Sequence, residues 1–524
     1  MGSGKTCHPR FPHFRFLPGS LFESNQILFG VLASLSRGCC GENLMSRVFP
    51  FTLSRSLSFL FLLVFVASCG SDGSAPVSTG PSAVAGSVES IFYAGVSVVD
   101  VTPPIGVPLA GYGGGPRRCD PADTDPSNYH TFLNPSEGIL DPIYAKALVC
   151  ASGDTKVVML SLDLVAVVSD FVDLIFQYAR DMGTTVLKEH FMVHSSHTHS
   201  GPGAISGLKW WELIGSDVLV PSVQHDLAKK CAQAVFEAES NMVPARFGSA
   251  SGDLPGVTKN RRADDSPNLT VDMVDEELGI LRLDEADGTP MALVWNFAVH
   301  GTSLYSWNMN YSADFMGAAS AKMESTLGIP ALFANGAEGD LKPAKSGTAG
   351  IEELTPILAE KAVEVFNGIE TSSSVTLKSA YEVIPFGDAA IDFSLNRAFG
   401  SYSPLNYVQV MQALGWNPSF KIKLNSDWFE NVFRFQAIRF NDTVIVSLPG
   451  EAIHQLGLEI KSDGKLLGFD KVYPFGLANG HMGYIATEVE YEIGGYEGIA
   501  TFFGPKTGEN VRNACAALME KIKP

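Results

Sequence analysis

Several features that mark common functional classes are scarce or missing in this 524-residue sequence. Lys and Arg number 37 against 56 Asp and Glu, so the formal net charge is −19. Nucleic-acid binding needs clustered Lys and Arg that neutralise phosphates, and this charge therefore argues against a nucleic-acid partner. The 8 cysteines contain no CxxC pair, which removes the usual thiolate zinc site and dithiol redox motif. No GxSxG turn occurs, so a classical serine hydrolase is also set aside.

Hydrophobic residues, by contrast, make up 45% of the chain, enough for a substantial core. A soluble acidic enzyme is the expectation from this composition. Since no thiolate pair is available, any metal must lie on histidine and carboxylate side chains. Disulfides are possible among Cys119, Cys150, Cys231 and Cys515 in an exported protein, but the sequence leaves their pairing open.

Residues 45–69 have the pattern of an export signal. The segment MSRVFPFTLSRSLSFLFLLVFVASC has Arg47 and Arg55, an apolar run at 57–66, and small residues before Cys69. Its end matches the lipobox of bacterial lipoproteins, in which the cysteine is acylated. A short transmembrane helix is the alternative, although the run is shorter than the roughly 20 residues that a span needs. We therefore expect an exported protein, either a lipoprotein anchored in a membrane of the cell envelope through Cys69 or a secreted protein.

The remaining chain divides around this signal. Residues 1–44 precede a complete signal peptide and are interpreted as an upstream extension outside the mature protein. Residues 70–90 are rich in Gly, Ser and Pro and predict a flexible tether. Residues 91–524 contain neither an internal repeat nor a linker, and we predict one catalytic domain there.

Short apolar runs alternate with helical patterns through this domain, which predicts an α/β fold with a layered, mixed β-sheet system. The strand-like runs include FYAGVSVVDVT, KVVMLSLDLVAVV, HFMVHSS, ALVWNFAVH, PALFAN and DTVIVSLPG. Helical patterns lie near 169–182, 226–241, 313–327, 351–367, 451–462 and 507–522, and a more strand-like lobe is expected at 371–441. Polar residues cluster where strand-like runs end, and active sites of layered α/β folds are built at such positions.

The histidines at these strand ends carry the clearest chemical signal. His197 and His199 are two residues apart after an apolar run, so in an extended segment both rings would point to one side, a spacing that can chelate a metal or pair a metal ligand with a proton carrier. His300 ends another such run, and Glu451 follows a Pro-Gly turn at the predicted start of a helix. Each of these residues taken singly also has an ordinary structural explanation. The spacing alone leaves both interpretations open.

The order of the motifs along the chain resembles that of the neutral ceramidase family. The matching segments are AGVSVVDVTPPIGVPLAGYG, SLDLV, HTHSGPG, NFAVHGTS, YSADFMG, LPGE, YIATEVEYEIGGYEG and FFGP, which together span about residues 94–505. The resemblance implies the α/β catalytic domain of neutral ceramidases. It also implies a zinc-dependent amidase that cleaves the N-acyl bond of ceramide or a related lipid.

The resemblance further implies a role for each residue at a matching position. The implied zinc ligands are His197, His300, Glu451 and Tyr484. His199 and Arg261 would contact the reacting amide, and Tyr496 would help to hold its oxyanion. Neutral imidazoles and a carboxylate suit zinc, which lowers the pKa of a bound water and polarises a carbonyl group.

One position departs from the family pattern. The family loop GDxSP, whose serine takes part in catalysis, reads GDLKP here, so Lys342 stands in place of the serine. Lys342 is then expected to stabilise the oxyanion or to protonate the leaving amine. The sequence stops at Pro524, and we expect no C-terminal β domain of the kind that many members carry. Approach to a membrane is expected to come from the lipid anchor.

Three functions therefore stay open. The leading one is ceramide hydrolysis, with a lipid or small-molecule amide as the partner. The second keeps the zinc site but acts on another amide or ester, because Lys342 replaces the family serine. The third is a non-catalytic binding lipoprotein that retains the fold. Bound zinc separates the first two from the third.

Overall fold

Strands and helices alternate along the chain, and the strands assemble into two main β-sheets. A computed structural model describes residues 90–119, 129–262, 273–392 and 421–524. The expectations for the upstream extension, for the signal peptide with Cys69, and for the tether up to residue 89 lie outside the described residues. Residues 90–524 cluster as one compact unit.

The secondary structure of the described part is as follows. The strands are β1 Phe92–Asp100, β2 Gly138–Ile139, β3 Tyr144–Ser152, β4 Thr155–Leu162, β5 Phe191–Ser195, β6 Val243–Asp253, β7 Thr258–Asn260, β8 Glu277–Glu285, β9 Pro290–Phe297, β10 Asn310–Tyr311, β11 Ala331–Asn335, β12 Leu341–Pro343, β13 Leu377–Pro385, β14 Ala389–Asp392, β15 Lys421–Leu424, β16 Val432–Phe440, β17 Thr443–Ser447, β18 Glu451–Ala452, β19 Lys471–Phe475 and β20 Tyr484–Ile485. The longer helices are α1 Ser169–Met182, α2 Pro221–Ser240, α3 Asp314–Leu327, α4 Gly347–Asn367, α5 His454–Leu466 and α6 Thr507–Ile522. Shorter helical turns lie at Gly115–Arg117, Lys188–His190, Lys209–Trp211, Glu212–Ser216, Glu488–Ile493 and Gly495–Ile499.

The larger sheet has eight strands in the order β11-β9-β8-β6-β1-β3-β4-β5. Its central pairs are antiparallel, whereas the outermost pairs, β11 with β9 and β4 with β5, are parallel. The two edge strands approach each other at their carboxyl ends, where the Nδ2 atom of Asn335 donates to the carbonyl oxygen of Ser196 at 3.1 Å. Chain segments that leave β5, β9 and β11 therefore enter the same region.

The second sheet has four strands in the order β13-β16-β17-β19. It shares one buried apolar cluster with the larger sheet, and this cluster contains Phe92 and Leu281 from one sheet and Phe440 and Phe475 from the other. Burial of such aromatic side chains is worth about 1.5–3 kcal/mol each. The two sheets thus form the inner layers of the fold.

Helices cover the outer faces of both sheets. Helix α1 buries Phe171, Val172, Ile175 and Ala179, a spacing of three to four residues that places them on one face, and it ends at Gly183 with φ of 110°. Helices α1 and α2 pack together over the larger sheet, α3 and α4 cover another part of it, and α5 and α6 cover the smaller sheet. No helix of the described ranges combines the length and apolarity needed to cross a membrane.

The predicted α/β fold with a mixed sheet system is confirmed. Helices α1, α3 and α6 lie within one residue of their predicted bounds. The prediction that a helix begins at 451 was wrong, because Glu451 and Ala452 pair in parallel with β20 and the helix starts only at His454. Strands β13 and β16 of the strand-like segment 371–441 belong to the four-stranded sheet. None of the four cysteines in the described part forms a disulfide.

Candidate metal centre

A parallel contact between two loops places His300 beside the HxH segment. Thr198 forms a β-bridge with Gly301, and the amide of His199 donates to the carbonyl oxygen of Gly301 at 2.9 Å. A side chain at Gly301 is excluded, since its Cβ would lie 2.3 Å from the carbonyl oxygen of His197. The histidines that follow β5 and β9 are therefore neighbours because of backbone pairing.

The two histidines of the HxH segment converge, but not as strand alternation predicted. Strand β5 ends at Ser195, and His197 has a left-handed backbone with φ of 68°. Its Nε2 atom lies 3.3 Å from Nε2 of His199, with the rings nearly perpendicular. A non-glycine residue held in this conformation costs about 1–3 kcal/mol, a strain that is typical of functional sites.

Glu451 and Tyr484 reach the same region from two short parallel strands. They are register partners in the pairing of β18 with β20. Both side chains are buried, with 6% of Glu451 and 5% of Tyr484 exposed. The hydroxyl of Tyr484 lies 3.3 Å from Nε2 of His300. The structure thus brings together all four residues that the resemblance implied as zinc ligands.

Backbone carbonyl groups fix the orientation of both candidate imidazole ligands. The Nδ1 atom of His197 contacts the carbonyl oxygen of Val165 at 2.7 Å. The Nδ1 atom of His300 contacts the carbonyl oxygens of Glu338 and Leu341 at 2.8 and 2.9 Å. A ring that donates through Nδ1 leaves the lone pair of Nε2 available, and metal-binding histidines are held in this way.

Both Nε2 atoms face the same oxygen of Glu451. Its Oε2 atom lies 3.3 Å from Nε2 of His197 and 3.2 Å from Nε2 of His300. With both rings donating through Nδ1, this oxygen has no hydrogen-bond donor among the described residues. Burial, together with the charge of Arg261, lowers the pKa of His300 to about 4, so its imidazole is neutral at physiological pH. Two imidazoles and a carboxylate that converge in this way fit a divalent cation.

A network around Arg261 borders this group of ligands. Its Nη2 atom donates to the hydroxyl of Tyr484 at 2.8 Å, its Nη1 atom lies 3.2 Å from Nε2 of His300, and its Nε atom donates to Glu497 at 2.8 Å. The guanidinium carbon lies 5.6 Å from the ring centroids of both Tyr484 and Tyr496. Tyr496 is 38% exposed, so it stands at the solvent side of the buried ligands. Arg261 and Tyr496 therefore border the candidate ligands on their solvent side.

His199 is the remaining residue of the predicted amide contact. Burial, with the neighbouring imidazoles of His197 and His300, lowers the pKa of His199 well below its ordinary value. The guanidinium of Arg117 donates to the backbone carbonyl of His199 at 2.6 Å and holds this segment in place. His199 is thus a neutral, positioned imidazole beside the ligands.

Lys342 follows Leu341, whose carbonyl oxygen contacts His300, so it lies near the candidate ligands in the sequence. Its side chain, however, is on the opposite face of β12 from its buried neighbours. In the pairing of β12 with β7 it stands opposite Lys259, and both neighbours of Lys342 in β12 are buried. Alternation along the strand therefore puts Lys342 and Lys259 on the partly exposed face. The preceding residue, Leu341, accepts the hydrogen bond from His300. The catalytic role of Lys342 stays a prediction.

Sequence analysis missed three residues that contact the site. His481 places Nε2 at 3.3 Å from the second oxygen of Glu451. Arg117 is 1% exposed and binds the HxH backbone. Glu338 is fully buried, and its carboxylate forms a second potential metal-binding group with His197 and Glu451. Glu338 stands in the loop ANGAEGD, whose polar residues follow a strand, and this was the one available signal.

Comparison with known proteins places this chain in a family. Residues 119–354 and 418–513 match the family model described as neutral/alkaline non-lysosomal ceramidase, N-terminal. Neutral ceramidase B of Dictyostelium discoideum is 23% identical over 490 residues, covering 74% of this chain and 68% of that protein. The neutral ceramidase of Pseudomonas aeruginosa is 23% identical over 389 residues, covering 61% of this chain and 57% of that protein.

The fold agrees with these sequence matches. The crystal structure of neutral ceramidase from Pseudomonas aeruginosa superposes with a TM-score of 0.67 at 20% sequence identity, covering 83% of this chain and 74% of that chain. The resemblance that the sequence motifs indicated is therefore confirmed over most of the described domain. The chain belongs to the neutral/alkaline non-lysosomal ceramidase family.

Proposed function

We propose that this protein is a zinc-dependent amidohydrolase that cleaves the N-acyl bond of ceramide, or of a related N-acyl lipid, to a fatty acid and a sphingoid amine. The convergence of His197 and His300 on one oxygen of Glu451 carries this proposal. Tyr484 completes the ligand set from the neighbouring strand. The membership of the chain in the ceramidase family supplies the substrate class.

The chemistry divides between the metal and the residues around it. Zinc held by His197, His300, Glu451 and Tyr484 would supply a Lewis acid able to activate water and to polarise the amide carbonyl. Arg261 is held in place by Glu497 and Tyr484, so its guanidinium is preorganised to stabilise negative charge on the carbonyl oxygen. The hydroxyl of Tyr496 donates to the same oxygen. His199, neutral and adjacent to His197, accepts the proton of the attacking water.

Departure of the amine requires a proton donor, and Lys342 takes this role in the proposal. It occupies the family's serine position in the loop that also contacts His300. In this role its side chain donates a proton to the leaving nitrogen when the C–N bond breaks. The presence of Lys342 in place of a serine also favours a second candidate function. In that function the same metal ligands hydrolyse another amide or an ester.

We further propose that the protein is exported and anchored through an acylated Cys69, as its lipobox-like segment suggests. An anchor of this kind holds an acidic soluble domain next to lipid substrates. The described helices provide no membrane span of their own.

Hydrolysis of defined substrates tests the proposal. Purified protein is assayed on ceramide, on short N-acyl amides and on the matching esters, with and without a chelator and with zinc added back. Ceramide turnover that the chelator abolishes and zinc restores supports the leading function. Preference for short amides or esters supports the second candidate, and absence of turnover on all three classes with zinc bound overturns both.

A further inference from the structure

A buried carboxylate that the proposed mechanism does not use lies beside the candidate metal centre. Glu338 is 0% exposed, and neither of its carboxylate oxygens has a hydrogen-bond partner in the described part of the chain. Burying such a group without a partner is costly. A buried glutamate of this kind calls for a ligand.

The direction of the side chain identifies where that ligand would be. One oxygen each of Glu338 and Glu451 and one nitrogen of His197 lie within 4.8 Å of one another. A second group with the same spacing consists of His197, His199 and His300. The two groups share His197. Glu338 therefore faces the candidate metal centre on the side where Glu451 lies.

The surroundings of Glu338 hold its carboxylate in this direction. A Cβ atom on Gly476 would lie 2.8 Å from Oε2 of Glu338 and 2.2 Å from the carbonyl oxygen of Gly336. The carboxylate of Glu338 therefore packs directly against the backbone of Gly476, where only glycine fits. The backbone carbonyl of Glu338 accepts from Nδ1 of His300 at 2.8 Å. The same residue thus orients one imidazole with its main chain and aims a carboxylate at the centre with its side chain.

A shared proton between the two glutamates does not explain the arrangement. Such a pair needs the oxygens of Glu338 and Glu451 within hydrogen-bond distance, about 2.5–3.0 Å. The oxygens of Glu338 have no partner at that range among the described residues. A cation between the carboxylates would supply a partner to the oxygens of Glu338 and to Oε2 of Glu451, which have none among the described residues.

We infer that Glu338 is a further ligand of the metal centre, which then holds its cation with two carboxylates. The inference rests on the proposed function only in that it concerns the same centre. A second carboxylate makes the donor set harder, and such sets are better suited to Mn²⁺ than purely imidazole sets are. The metal preference of this protein is therefore expected to depend on Glu338.

Metal binding in the absence of substrate tests this inference. Metal-free protein is titrated separately with Zn²⁺ and Mn²⁺ in competition with a chromophoric chelator, for the wild type, Glu338→Gln and the control Glu324→Gln. Glu324 pairs with Lys146 at 2.6 Å on helix α3, outside the centre. We expect Glu338→Gln to weaken Mn²⁺ binding by about 10- to 100-fold and Zn²⁺ binding by less, with Glu324→Gln unchanged. Wild-type affinity for both metals in folded Glu338→Gln would overturn the inference.

Thermal unfolding separates a ligand from a structural residue. Glu338→Gln removes an unpartnered buried carboxylate, so the metal-free variant is expected to melt above the metal-free wild type, while its gain in Tm on adding Zn²⁺ is smaller. A structural role would lower Tm with and without metal. If Glu338→Gln does not fold, Glu338→Asp is used instead, since it keeps the charge but shortens the side chain by one methylene. Weaker Mn²⁺ binding by Glu338→Asp then supports the inference, and unchanged binding refutes it. Ceramide hydrolysis is measured separately, so refuting this inference does not refute the proposed function.

Discussion

The imidazole of His300 donates from Nδ1 to the backbone carbonyl of Glu338 at 2.8 Å. This bond connects a candidate ligand after β9 with the loop between β11 and β12, just before Lys342, which stands where the resemblance implies a serine. Because the acceptor is a main-chain atom, substitutions of the Glu338 side chain leave it in place. The orientation of His300 and the chemistry of the Glu338 carboxylate can therefore be tested independently.

Removal of either imidazole from the centre should empty it of metal. His197→Ala and His300→Ala each delete an Nε2 atom that lies within 3.3 Å of Glu451 Oε2, and a small set of protein ligands loses most of its affinity with one member. Zinc content by elemental analysis is the measurement. His225→Ala is the control, since His225 contacts Tyr178 on the helical layer instead. Stoichiometric zinc in either variant would show that the ligand assignment is wrong.

Replacement of Lys342 should impair turnover without affecting the metal. If Lys342 donates the proton to the leaving amine, Lys342→Ala is expected to reduce kcat by roughly 10²- to 10⁴-fold at unchanged zinc content. Lys342→Ser restores the family residue and is expected to hydrolyse ceramide faster than Lys342→Ala does.

A matched control for this series is available on the adjacent strand. Lys259 is the register partner of Lys342 and shares its partly exposed face, so Lys259→Ala removes a similar charge from nearly the same position. Full activity is expected for this control. Equal activity of Lys342→Ala and the wild type would mean that the lysine is a bystander.

The free energy of unfolding should depend on pH through Glu430. Burial raises the pKa of Glu430 from 4.5 to about 7, against the hydrogen bonds that it accepts from the amides of Ser169 and His481. Because the pKa of this carboxyl group is higher in the folded than in the unfolded state, its ionisation destabilises the folded state. The free energy of unfolding is therefore expected to fall as pH rises from about 4.5 to about 7. The expected loss is about 1–3 kcal/mol. Urea unfolding at several pH values measures it.

Glu430→Gln provides the comparison for that measurement. The amide cannot ionise, so the decline between these pH values should flatten, even though the loss of one acceptor lowers stability overall. A decline as steep as that of the wild type would assign the pH dependence to other groups.

Localisation should depend on Cys69. Acylation adds hydrocarbon that holds the domain at a membrane, so Cys69→Ser is expected to release or mislocalise the protein. Membrane fractionation of both forms, with mass spectrometry of the wild type, is the measurement. Unchanged fractionation together with no lipid mass on the wild type would count against the lipobox interpretation.

The sequence by itself determined the parts of this protein that depend on local pattern. Helices α1, α3 and α6 were predicted within one residue because their apolar positions recur every three to four residues. The motifs at the ends of β5, β9 and β17 indicated His197, His300 and Glu451, because polar residues that directly follow a buried strand can be recognised from the sequence pattern alone.

Tertiary structure decided the features that depend on distant chain segments. Residues 451 and 452 read as the start of a helix, but their pairing with β20 makes them a strand that sets Glu451 opposite Tyr484. His197 leaves the extended conformation because its segment pairs with Gly301. Glu338 carries no periodic signal, and only the approach of the loop after β11 to His197 and Glu451 places its carboxylate beside the candidate metal ligands. Periodicity records which side of an element is buried, whereas the distance between side chains far apart in sequence is set by how the sheets pack.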